Sequence, residues 1–132
     1  MSASNSMVYK TDTICALASP QGSGAIALIR LSGNESLSIA KKHFSGFKKL
    51  NDDDKIMSHH QYFGNFLEGD KIVDEVLLTY FKAPKSYTAE DIIEISCHGS
   101  TYVQQLIIEN LLNSGARMAD PGEFTMRAFY NG

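Results

Sequence analysis

Hydrophobic and polar positions follow two different periods along this chain. "DTICALA", "AIALIRLSG" and "IIEISCHG" are short apolar runs of the β type, bounded by small residues that favour turns. "HQYFGNFLEGDKIVDEVLLTYF" reads as two strands turned in the Gly69-Asp70 region, the second running from Ile72 to Phe81, and a hairpin is the economical interpretation. In "SGNESLSIAKKHF" the period changes. Leu37, Ala40 and Phe44 fall at helical spacing, and Ser32 with Glu35 reads as a capping box. "STYVQQLIIENLLNSG" predicts a second helix, with Thr101 and Gln104 as its capping box and Gly115 as its stop. Its stripe of Val103, Leu106, Ile107, Leu111 and Leu112 is better explained as core than as a groove for a partner. A short strand near "ARMA" and a last helix in "EFTMRAFYN" complete the order, which predicts an α+β fold: a mixed, mostly antiparallel sheet with two to three helices.

Two segments lack either period. Residues 1–11 are small and polar and are expected to be a disordered tail, and residues 45–59, which contain "NDDDK", read as a solvated loop rather than an acidic binding site. That leaves one domain over residues 12–132, a size consistent with the chain's 132 residues and 43% hydrophobic content. No apolar stretch approaches the ~18 residues of a membrane span, and the start has neither a basic region nor an apolar one, so a soluble, cytoplasmic protein is expected. Cys15 and Cys97 lie far apart inside apolar runs and are expected to be reduced, buried thiols. A formal net charge of −3, with no lysine or arginine cluster beyond isolated pairs, disfavours nucleic-acid binding by this chain on its own.

Three sites could carry chemistry. "SPQGSGAIALIRLSG" is glycine-rich, but a phosphate cradle needs a lysine and a helix directly after its glycines, and here a strand follows. Within that strand, alternation puts Ile26, Leu28 and Arg30 on one face and Ala27, Ile29 and Leu31 on the other, so a guanidinium shares a face with aliphatic groups. Arg30 either reaches water or a structural carboxylate from the strand end, or serves a ligand. In "IIEISCHG" the same period aligns Ile92, Glu94, Ser96 and His98 opposite Ile93, Ile95 and Cys97. That polar face is either the solvated side of a sheet or the floor of a cleft in which Glu94 accepts two N–H bonds from an aminopyrimidine-like ring. His98 and Cys97 point to opposite faces without a further ligand cluster, so no metal site is expected, and no catalytic residue stands out.

"DTICALASPQGSGAIALIRLSG", "SYTAEDIIEISCHGS" and "GARMADPGEFTMRAFYNG", in this order, resemble the amino-terminal domain of the tRNA modification GTPase family MnmE/TrmE, from Asp12 to Gly132 and most weakly over Lys41–Ile72. The resemblance implies a fold like the tetrahydrofolate-binding domain of aminomethyltransferases, a homodimer, and a pocket for a formyl- or methylene-tetrahydrofolate. Arg30 and Glu94 fall where the family's folate contacts are expected, with a further lysine just beyond Gly132. It also implies a longer chain whose helical and GTPase domains lie outside these residues, the latter taking GTP, potassium and magnesium. The whole protein is then expected to act with an FAD-dependent partner subunit on the wobble uridine of tRNA. A purely structural dimerisation or scaffold module is the alternative. Ser23, Ala89 and Ser100 depart from the family's usual basic residue, glycine and glycine, and a non-glycine residue restricts positive φ.

Overall fold

The computed structural model of this chain describes residues 11–19, 22, 24–47, 50 and 55–132. The expected tail, apart from Thr11, lies outside them, as do Ser23 and the acidic run at 51–54. The elements are β1 (Ile14–Leu17), β2 (Ile26–Ser32), α1 (Ser36–Lys41), β3 (His60–Glu68), β4 (Lys71–Phe81), β5 (Ile92–His98), α2 (Thr101–Asn113), β6 (Arg117–Met118) and α3 (Glu123–Tyr130). They form an α+β fold around one six-stranded sheet of order β3-β4-β5-β2-β1-β6. Every pairing is antiparallel except β1 with β6, so the sheet is mixed and mostly antiparallel, as the periodicity predicts.

The alternation of each strand decides which face is core. Ala27, Ile29 and Leu31 of β2, Ile93, Ile95 and Cys97 of β5, and Val76, Leu78 and Tyr80 of β4 are buried in one cluster. Ile39 of α1 and Ile107 and Leu111 of α2 belong to the same cluster. Ile107 and Leu111 are fully buried, and burial worth roughly 1.5–3 kcal/mol for each such side chain outweighs any single cap in seating α2. Cys15 and Cys97 are both free and buried.

Local capping differs from the sequence expectation. Ser32 caps nothing: it is the last residue of β2, and its hydroxyl pairs with Thr88 Oγ1 (2.7 Å) and donates to Glu90 Oε1 (2.7 Å). A strand backbone and a buried polar partner hold it away from α1, which starts after Glu35 with no side-chain cap. At α2 the cap is Ser100, whose hydroxyl accepts the Val103 N–H at 3.1 Å, while Thr101 is already helical. Gln104 instead donates its amide to the carbonyls of Gly22 (3.1 Å) and Gly99 (3.0 Å). Gly115 ends α2 at φ +118° as expected.

The described part of 45–59 is less solvated than its composition implies. Ser45–Phe47 form a 3-10 turn, and Phe47 and Ile56 enter the core. Phe47 meets Phe44 and Tyr62 edge-on, at centroid distances of 4.9 and 5.2 Å. Two apolar residues suffice to pin a segment that has no period.

The glycine-rich loop before β2 is held by backbone contact. Gly24 N–H donates to Gly99 O (3.2 Å) and Gly99 N–H to Ala25 O (3.3 Å). A Cβ on Gly99 would sit 1.9 Å from the Gly24 carbonyl oxygen, so only glycine fits there. Ala89, in the loop between β4 and β5, takes φ +64°, a conformation that glycine adopts without cost.

Candidate functional site

The sheet face opposite the core contains both out-of-place charges, and the strand register puts them side by side. Arg30 of β2 is the direct cross-strand partner of Glu94 on β5. The row extends to Thr79 of β4 beside Glu94 and to Ala16 of β1 beside Arg30. The next row on this face is Phe63, Leu77, Ser96 and Leu28. Charged pairing is thus set between neighbours that are mostly small, hydroxylated or aliphatic.

The pair has a one-sided geometry. Arg30 donates from Nε (2.8 Å) to Glu94 Oε2, and its Nη2 lies in ion-pair contact with the same oxygen at 2.7 Å. Neither Glu94 Oε1 nor Arg30 Nη1 has a hydrogen bond among the described residues. Both side chains are about a quarter exposed, at 26% and 23%. The site therefore presents one carboxylate acceptor and a guanidinium edge of donors toward the open face. The ring of Phe124, on α3, lies 5.8 Å from Arg30 Cζ, within cation–π range. Of the two sequence readings of Arg30, the carboxylate partner is present, and it is the other candidate residue.

His98 lies farther along the same face of β5. Its Nδ1 is 2.6 Å from Asp74 Oδ1, and its backbone N–H donates to Asp74 Oδ2 at 2.8 Å. A groove of about 320 Å³ lies beside it, lined by Ile26, Phe63, Glu75, Leu77, Ser96 and His98. Cys97 faces the core instead, and burial, with the Asp74 charge acting in the same direction, pushes its thiol up to about 11. It is protonated at neutral pH and poorly suited as a nucleophile. Among the described residues no group of three or more His, Cys, Asp or Glu could hold a metal ion. No described helix is long and apolar enough to cross a membrane.

A second arginine cluster fixes α3 at the edge of the site. Arg127 is fully buried and bonds Glu90 (3.2 Å), Glu123 (3.0 Å) and Asp12 (3.2 Å). Arg117 of β6 engages Asp12 through Nε (2.7 Å) and Glu123 through Nη2 (2.7 Å). Burial pushes the Glu123 carboxyl up, but the bonds from Arg117, the Asp120 N–H and Arg127 override it and hold the group at about 2. The Arg117 bond likewise lowers Asp12, and Asp12 and Glu123 raise Arg117 in return. Sequence reasoning missed this cluster, and with it Phe124, Thr79 and Asp74 as neighbours of the site. Their signal was weak, since charges on a short helix and polar residues in an alternating strand are ordinary.

Residues 13–132 match the family described as GTP-binding protein TrmE N-terminus. The chain belongs to this family. Among curated relatives of the TrmE amino-terminal family, the tRNA modification GTPase MnmE of Flavobacterium johnsoniae is 55% identical over 121 residues, covering 92% of this chain and 26% of that protein. The proteins of the same description from Flavobacterium psychrophilum and Streptococcus mutans are 53% and 50% identical, covering 96% and 92% of this chain. The chain spans about a quarter of the length of these relatives, 26–27%.

Proposed function

We propose that this chain is the folate-binding and dimer-forming part of a tRNA modification GTPase, and that Arg30 and Glu94 hold the pterin of a formyl- or methylene-tetrahydrofolate. The observation that carries this reading is the one-sided ion pair on an open sheet face, with Glu94 Oε1 and Arg30 Nη1 unengaged among the described residues. The donor set suits such a ring. Glu94 can accept from the amino and ring N–H groups of an aminopyrimidine, and Arg30 can donate to a neighbouring carbonyl or ring nitrogen. The folate supplies the one-carbon unit; the residues here bind and orient it. Support for the wider role comes from the relatives, whose names state tRNA modification and GTPase activity. GTP, potassium and magnesium are assigned to a GTPase region outside these residues, and tRNA and an FAD-dependent subunit to the assembled protein.

Calorimetric titration with 5-formyl- and 5,10-methylene-tetrahydrofolate tests the site. We expect saturable binding of a reduced folate and none of GTP, since the chain lacks Gly-x-x-x-x-Gly-Lys-Ser/Thr. Arg30→Lys should weaken binding, because an ammonium lacks the planar fork. Absence of folate binding would overturn the reading.

A second reading, a scaffold face without a ligand, is favoured by Ile26 (70% exposed) and Phe63 (66%) on the same side of the sheet. A homodimer covering them is compatible with folate binding. Sedimentation that returned only a 14.6 kDa species at high protein concentration would remove the dimer from both readings.

A further inference from the structure

An arginine whose hydrogen bond and ion-pair contact both fall on one carboxylate oxygen has a fixed distance but a weakly fixed plane. Arg30 is in that condition, because Nε and Nη2 converge on Glu94 Oε2 and nothing described bonds Nη1. The direction of Nη1 decides which ligand atom Arg30 can reach. Phe124 is the described side chain that can set it, since its ring sits against the guanidinium at 5.8 Å from Cζ.

The helix segment that presents the ring is well anchored. Gly122, at φ +74°, turns the chain into α3, and Glu123 and Arg127 on α3 are buried in the second arginine cluster. Thr125 adds a hydroxyl contact to Tyr87 at 3.1 Å. Residues on both sides of Phe124 are therefore tied to β6, to Asp12 and to the loop between β4 and β5. A ring on such a support has little freedom to follow Arg30, so Arg30 follows the ring.

Resting on the folate-site reading above, we propose that Phe124 is a positioning residue that orients the Arg30 guanidinium for the ligand, with the Arg127–Glu123–Glu90 cluster as its mount. Phe124 acts through Arg30, and its removal costs affinity only while Arg30 is present.

The test uses the 132-residue chain with Phe124→Leu, and with Phe124→Tyr to restore the ring, each in the native and Arg30→Met backgrounds. In the ligand-free protein, ¹⁵N-resolved NMR should place the wild-type Arg30 Nε–H upfield, shifted by the ring; Leu should abolish that shift and Tyr restore it. Titration with 5-formyl-tetrahydrofolate should show about a two- to fivefold loss for Phe124→Leu, the range of a partly exposed cation–π contact. The loss should vanish in the Arg30→Met background. An Arg30 resonance identical in wild type and Phe124→Leu overturns the proposal. So does an equal affinity loss in both backgrounds, which would make the ring a direct ligand contact or a general support. If Leu does not fold, the wild-type resonance decides: an unshifted Arg30 Nε–H overturns the proposal. Failure of wild type to bind any reduced folate overturns the folate-site reading instead, and the resonance comparison still decides whether Phe124 orients Arg30.

Discussion

Two arginine–carboxylate assemblies lie close together in this protein and are built on opposite terms. Around Arg127 and Arg117, Asp12 and Glu123 are each shared between the two guanidinium groups and Glu90 adds to Arg127, with Arg127 fully buried and the Glu123 side chain 7% exposed. At Arg30 and Glu94 the pair is partly exposed, meets through the Nε–Nη2 side of the guanidinium, and leaves an acceptor and a donor edge unused among the described residues. A buried cluster of this kind is hard to break, because removing one partner strands a desolvated charge. An exposed, unsaturated pair contributes little to stability and keeps its capacity for another molecule. Burial and the sharing of carboxylates, rather than the presence of charge, separate the structural assembly from the candidate site.

Substitution in the buried cluster should cost most. Arg127→Met should lower stability by about 3–5 kcal/mol, since Glu123 and Glu90 lose their buried partner, and reduce Tm by roughly 10 °C or more. A thermal melt within a degree or two of wild type would erase the distinction between the two assemblies. The next effect is acid sensitivity. The folded Glu123 carboxyl is depressed to about 2 from its ordinary 4.5, so its contribution is complete above pH 4.5 and is lost as pH falls toward 2. That contribution is roughly 3 kcal/mol. Urea midpoints across this range should fall steeply in wild type and less so in Glu123→Gln, which has no carboxyl to protonate. Parallel acid limbs would place the acid-labile group elsewhere.

The smallest effect lies in the loop that contributes Glu90 to the cluster. Ala89 occupies φ +64°, where a Cβ costs about 1–2 kcal/mol and glycine none. The greater freedom of glycine in the unfolded chain offsets part of that relief. Ala89→Gly should therefore stabilise by about 0.5–1 kcal/mol in a chemical denaturation series. A destabilised variant would show that the backbone strain is smaller than the entropy of the unfolded chain.

Much of the fold was legible because its strands alternate cleanly. The faces expected for β2 and β5 are the observed ones, and the hairpin turn falls at Gly69-Asp70. Arg30 and Glu94 were legible as charges that break an apolar period. Their pairing was not, since it depends on the register of strands 64 positions apart in the chain. Ser32 shows the limit of local motifs: the Ser-x-x-Glu spacing is present, but buried Thr88 and partly buried Glu90 compete for the hydroxyl and win. Arg127 and Glu123 on α3 look like an ordinary solvated helix pair, and only the packing of Asp12, Arg117 and Glu90 around them makes the pair buried. Phe47 and Ile56 enter the core from a segment whose charged residues mask two apolar anchors.

The proposed function requires the partly exposed Arg30–Glu94 pair to bind the ligand and the buried Arg127 cluster to hold α3. Titration of wild type and Glu94→Gln with the same reduced folate, beside their melting curves, tests it most directly. Glutamine keeps the shape of Glu94 but replaces a charged double acceptor with one acceptor and one donor. Binding should weaken by roughly 2 kcal/mol, about thirtyfold, because a ligand N–H would then face an NH₂ group. Melting should change by less than the equivalent of ~1 kcal/mol, as expected for a partly exposed pair. Unchanged folate affinity, or a collapse in Tm without a selective binding defect, would contradict the account and make Arg30–Glu94 a structural pair.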